Sequence, residues 1–179
     1  MTSEADSGVK SGAGSVATSE VISEATFDPA SAVNPKVGKP ARVVVEWKGG
    51  RRFSAGHRGR PAVLLDGDGV AGPSPVDALL AALASCVSVD VVDILAKRRT
   101  PVQSLDVNVI GERVDGTPRR LSHVTLDFTI AGSGIERTQA ERAIDLAVTK
   151  YCSVRDSLSR DIPVVWNLKL EVEKETTPA

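Results

Sequence analysis

A chain of 179 residues with 41% hydrophobic and 25% charged content has the make-up of one globular domain with a sizeable core. The formal net charge of -1 and the lack of a long basic run exclude the electrostatic footprint of a nucleic-acid binder. No uncharged apolar stretch of roughly 18–20 residues is present, and the opening Met1-Thr2-Ser3-Glu4 lacks the basic-then-apolar order of a signal peptide, so no membrane partner is expected and the protein is expected to be cytoplasmic.

Residues 1–38 are rich in Ser, Ala, Gly, Glu and Thr, with no apolar residue repeating at a helical or strand period. Such a composition buries too little surface to offset its ordering entropy, and a disordered tail and linker is expected, closed by Pro35 and Pro40. The folded domain is expected over 39–175. Structure should begin at Ala41 with the β-branched and aromatic run 42–47, turn at Gly49-Gly50 and return through 51–55 as a hairpin. A third short strand, 62–65, ends in a Gly- and Asp-rich turn.

A helix start follows: Ser74 as N-cap, Pro75 at the first helical position and Asp77 where a capping-box acid belongs. From Val76 to about Arg99 the sequence is apolar on nearly every face, which predicts a central, buried helix with Cys86 in its middle. Beyond Pro101 the period changes to two. Leu105, Val107 and Val109, then Val124, Leu126, Phe128 and Ile130, alternate with polar residues and predict two antiparallel strands. Ala140, Ala143, Ile144, Ala147, Val148 and Tyr151 recur at three- and four-residue spacing as an amphipathic helix, whose apolar stripe takes in Cys152. A short helix before Pro163 and a closing strand through Val164, Trp166, Leu168, Leu170 and Val172 complete a βββ-α-ββ-α-(α)-β order. That is an α+β layout with two buried helices packed on sheet.

The two cysteines lie 66 residues apart, which excludes a thioredoxin-like pair and zinc-finger spacing. With His57 and His123 on a turn and a strand, no metal site is expected. On residue type alone, two cysteines in a reducing compartment read as buried thiols. Both fall on core faces of helices crossing one interior, however, so they can meet.

The stretch 72–86, Gly-Pro-Ser-Pro-Val-Asp-Ala-Leu-Leu-Ala-Ala-Leu-Ala-Ser-Cys, resembles the first cysteine helix of the OsmC/Ohr proteins (osmotically inducible protein C and organic hydroperoxide resistance protein), and Lys-Tyr-Cys-Ser-Val at 150–154 resembles their second cysteine segment. The likeness covers about 41–173 and is nearest the OsmC-like branch. It implies an intertwined homodimer and a thiol-dependent peroxidase acting on organic hydroperoxides in stress defence, with an external thiol as reductant and no cofactor. Cys86 would be the peroxidatic thiol and Cys152 the resolving one. In the peroxidases an arginine oriented by a carboxylate activates the sulfur. Arg52 and Asp77 resemble that pair, although the family's carboxylate position, directly after the proline, is Val76 here. Alternatively the chain keeps the fold as a small-molecule binding protein or redox sensor.

Overall fold

The structure, a computed structural model, describes residues 38–171. Residues 1–37 of the expected tail, and Val172 at the end of the expected closing strand, lie outside the described residues. Strand β1 (Val44–Trp47) turns through Gly49 and Gly50, whose φ angles of 95° and 57° suit glycine, and β2 (Arg52–Gly56) returns antiparallel to it. β1 starts later than Ala41 because Val44 already faces Gly56, the last residue of β2. β3 (Val63–Asp66) pairs with the other edge of β2. Its last residue, Asp66, is buried and accepts the backbone N–H groups of Asp68 at 3.1 Å and Ala71 at 2.9 Å. These bonds, Ala71's foremost, hold its carboxyl below the usual range and wind the following loop around it.

Helix α1 (Pro75–Lys97) begins as the residues dictate: Ser74 Oγ accepts from Asp77 N–H at 3.2 Å, and Asp77 Oδ2 accepts from Ser74 N–H at 3.0 Å. The helix ends at Lys97, two residues early, because Arg99 turns into the left-handed region at φ 65°.

The second sheet is built on β5 (Leu121–Ala131), with β4 (Ser104–Arg113) antiparallel on one edge and β6 (Val164–Glu171) parallel on the other. Period-two alternation aligns across all three strands into apolar rungs: Val109–Leu126–Trp166, Val107–Phe128–Leu168 and Leu105–Ile130–Leu170. Between β5 and β6 run α2 (Arg137–Leu146), a π-helical turn (Ala147–Tyr151) and the short α3 (Ser153–Ser157). This is the connection a parallel pair requires. The fold is the expected α+β arrangement in the expected element order.

The core lies between the rungs and one stripe of α1, where Leu83, Val87, Val91 and Leu95 recur every four residues and are fully buried. α1 also packs on α2. A close approach at Gly111 seats the start of α1 on β4, for a Cβ there would stand 2.8 Å from Leu80 Cδ1 and 2.9 Å from Leu121 Cδ2.

One expectation needs correction. α1 is buried along one stripe rather than all round: Leu79, Val89 and Val92 are exposed, because one three-stranded sheet and a ten-residue helix cannot surround a 23-residue one. By length and composition α1 would pass for a membrane span, but Asp77, Asp90 and Asp93 interrupt its apolar run, in keeping with the absence of a long uncharged stretch, and its buried stripe belongs to the protein core.

Candidate functional site

Cys86 is the middle residue of α1, one position before Val87 at the margin of the buried stripe, and is half-buried. Cys152 is buried at 3% exposure, but not as a member of the expected helix. α2 stops at Leu146, and the chain widens into the π turn closed by Cys152 N–H donating to the Ala147 carbonyl at 2.9 Å. Thr149 accompanies the loosening, its hydroxyl donating back to the Asp145 carbonyl at 2.7 Å. Cys152 then adopts an extended backbone, φ -70° and ψ 103°, and its sulfur takes the N-cap role for α3, accepting Arg155 N–H at 3.3 Å.

This exit from the helix leaves the Cys152 thiol a neighbour of Cys86, close enough for each sulfur to bear on the other's proton. Burial pushes the Cys152 thiol up to about 11 from an ordinary 9.0. The Arg155 N–H opposes that rise, and the neighbouring Cys86 sulfur adds to it by hydrogen bonding and charge. At neutral pH Cys152 therefore keeps its proton.

That shift carries a sign. A thiol whose folded value lies above its unfolded one contributes stability that is intact below about pH 9 and is lost as the pH climbs through about 11. Urea midpoints should fall more steeply over that window in wild type than in Cys152→Ala; equal slopes would contradict a buried, protonated thiol.

Cys152 forms part of the wall of a cleft of about 500 Å³, together with Val148, Tyr151, Val164 and the charged side chains of Lys150, Arg155, Asp156 and Arg160. Arg155 is fixed there by a bond from its guanidinium to the Ile162 carbonyl at 3.1 Å. Sequence reasoning passed over these three cations. The signal was their clustering within eight residues of Cys152, but a continuous helix would have spread them around its circumference.

The other two expected site residues lie on β2 and at the start of α1. Asp77 is held in the capping box, and nine residues of helix set it about 13 Å along the axis from Cys86. Its carboxyl sits below the ordinary value, chiefly through the Ser74 hydroxyl and backbone N–H. Arg52 opens β2 directly across from Asp66, and its charge helps hold that carboxylate ionised. Arg51 pairs with Asp68 at 2.9 Å. Val76, in the family's carboxylate place, packs against the core. Among the described residues no group of three or more His, Cys, Asp and Glu side chains is placed to hold a metal ion.

The sequence profile of the OsmC-like protein family matches residues 66–167. Protein YhfA of Escherichia coli is 34% identical over 127 residues, covering 70% of this chain and 95% of YhfA. Among solved structures, an OsmC-like protein from Mycoplasma pneumoniae superposes with a TM-score of 0.65 at 19% identity, over 75% of this chain and 99% of that one. The organic hydroperoxide resistance protein OhrB of Bacillus subtilis superposes with a TM-score of 0.52 at 15% identity, over 73% and 98%. At these identities the two structures establish likeness of fold alone.

Proposed function

The chain belongs to the OsmC-like protein family, and on that premise we propose that it reduces organic hydroperoxides through Cys86 and Cys152, as a stress-protective cytoplasmic enzyme. The observation that supports this reading is the meeting of two thiols that lie 66 residues apart in sequence. Burial keeps one of them protonated, and the other is half-buried at mid-helix.

The Cys86 sulfur attacks the outer peroxide oxygen, the O–O bond breaks, and the alkoxide leaves with a proton as alcohol, so that Cys86 becomes a sulfenic acid. The Cys152 sulfur then attacks Cys86 Sγ, expelling water and forming the disulfide. Two external thiols, oxidised together to a disulfide, return two electrons. The chemistry needs a nucleophilic sulfur and calls for no metal, flavin or haem.

The test is a thiol count. One equivalent of an organic hydroperoxide should remove two thiols per chain and leave one intramolecular disulfide by mass spectrometry. A second reading, a binding protein or redox sensor with weak peroxidase chemistry, draws on the position of Arg52 across the β2–β3 ladder from Asp66 and on the capping bond of Asp77 with Ser74. Oxidation no faster than that of a free thiol would favour it.

A homodimer is part of the proposal. Val45, Trp47 and Val63 on the first sheet, Val43 just before it, and Val89 on α1, are each more than half exposed, an apolar area of the kind a second copy covers. Light scattering should give twice the chain mass at micromolar concentration, and Val89→Asp should shift it toward the monomer. A wild-type monomer would remove the dimer from the proposal.

A further inference from the structure

The cleft beside Cys152 carries charge that the peroxide step does not use. Lys150, Arg155 and Arg160 supply three cations against the single carboxylate of Asp156. The one ion pair among them, Arg160 to Asp156 at 3.8 Å, joins side chains 91% and 82% exposed, so it is weak and leaves Arg160 available. Arg155 is anchored through Ile162, and the Lys150 ammonium rests 5.6 Å from the centre of the Tyr151 ring. An anion entering the cleft meets positive charge on several sides while its other end meets the wall that includes Cys152.

We infer that this cleft receives the reductant of the cysteine pair, and that the reductant is a small thiol bearing carboxylate or another fixed anionic group. The inference rests on the redox reading of Cys86 and Cys152. A volume of about 500 Å³ admits a molecule of that size. Guided by the cations, the thiolate attacks Cys152 Sγ of the disulfide; the bond to Cys86 breaks, its electron pair leaving on the Cys86 sulfur. A second thiolate attacks the outer sulfur of the mixed disulfide and frees Cys152. Two small thiols are oxidised to one disulfide, the protein gains two electrons, and solvent returns protons to both cysteines. Positive charge works here by concentrating and orienting an anion, an effect that salt screens.

The experiment starts from full-length protein oxidised with diamide, so that no peroxide is involved. Second-order rates of disulfide reduction are measured per thiolate with mercaptoethanesulfonate, mercaptoethanol and mercaptoethylamine, a series of anion, neutral and cation. The expected order is anion fastest and cation slowest, spread about tenfold at low ionic strength and compressed at high salt. In the Lys150→Glu/Arg160→Glu variant the order should reverse. Should that variant fold poorly, the salt dependence of wild type decides alone. A flat series, or the cation fastest, overturns the inference while leaving the cysteine pair intact. Failure of diamide to form the Cys86–Cys152 disulfide overturns both.

Discussion

Cys86→Ser should consume organic hydroperoxide no faster than buffer, whereas Cys152→Ser should complete one turnover, stop at a sulfenic acid on Cys86 and then over-oxidise. The asymmetry follows from where the two sulfurs sit. Cys86 is held at the centre of a 23-residue helix, half-exposed at the margin of its buried stripe. Cys152 is 3% exposed, protonated at neutral pH and carried on a short extended link between a π turn and α3. Regular helix gives little room for a sulfur to move, and a single extended residue between a π turn and α3 gives more, which supports the proposal that Cys152 resolves. The measurement is peroxide consumption alongside intact-protein mass and sulfenic-acid trapping. A wild-type rate in Cys86→Ser sinks the assignment, and sustained wild-type turnover in Cys152→Ser without over-oxidation would show that the second thiol is not the resolving one.

Phe128→Ala should lower unfolding stability by about 3–5 kcal/mol, a large share of the ~5–15 kcal/mol typical of a domain. Phe128 is 1% exposed at the centre of β5, with Val107 opposite on one side and Leu168 on the other, and it belongs to the core cluster that includes Leu83 and Val87 of α1. Its removal opens a cavity that sheet rungs on both sides keep from collapsing. Thr125→Ala, on the opposite face of the same strand, should change stability by about 0.5 kcal/mol or less. Urea denaturation of both variants checks the pair. Equal losses would mean that β5 does not present Phe128 inward.

The second loss bears on the first. Leu83 and Val87 anchor the stretch of α1 that carries Cys86, and Val148 and Cys152 close the same cluster from the far side of the connection. Loosening at Phe128 should therefore slow disulfide formation as well as lower stability.

Local chemistry written in the residues determined the elements of this protein. Ser74, Pro75 and Asp77 specify the start of α1 through bonds made within four residues, and nothing distant can change them. The alternation at Leu105, Val107 and Val109, and at Val124, Leu126, Phe128 and Ile130, reports one buried face of a strand whatever it is buried against. Quoted together, the two cysteine segments also marked the family. What covers α1 was decided by tertiary structure, since an apolar circumference states a need for burial and says nothing of how much neighbouring surface one chain supplies; only the stripe from Leu83 to Leu95 finds it. The departure of Cys152 from the helical stripe was decided there too. Spacing from Val148 placed it on the apolar face, but the π turn, the Thr149 back-bond and the Arg155 N–H on its sulfur together set its direction. Arg52 and Asp77 were placed by a resemblance; in the folded chain Arg52 stands across the β2–β3 ladder from Asp66, and Asp77 bonds Ser74 at the helix cap. Which of several nearby partners a charged side chain engages depends on distances of a few ångströms, and those exist only once the chain has folded.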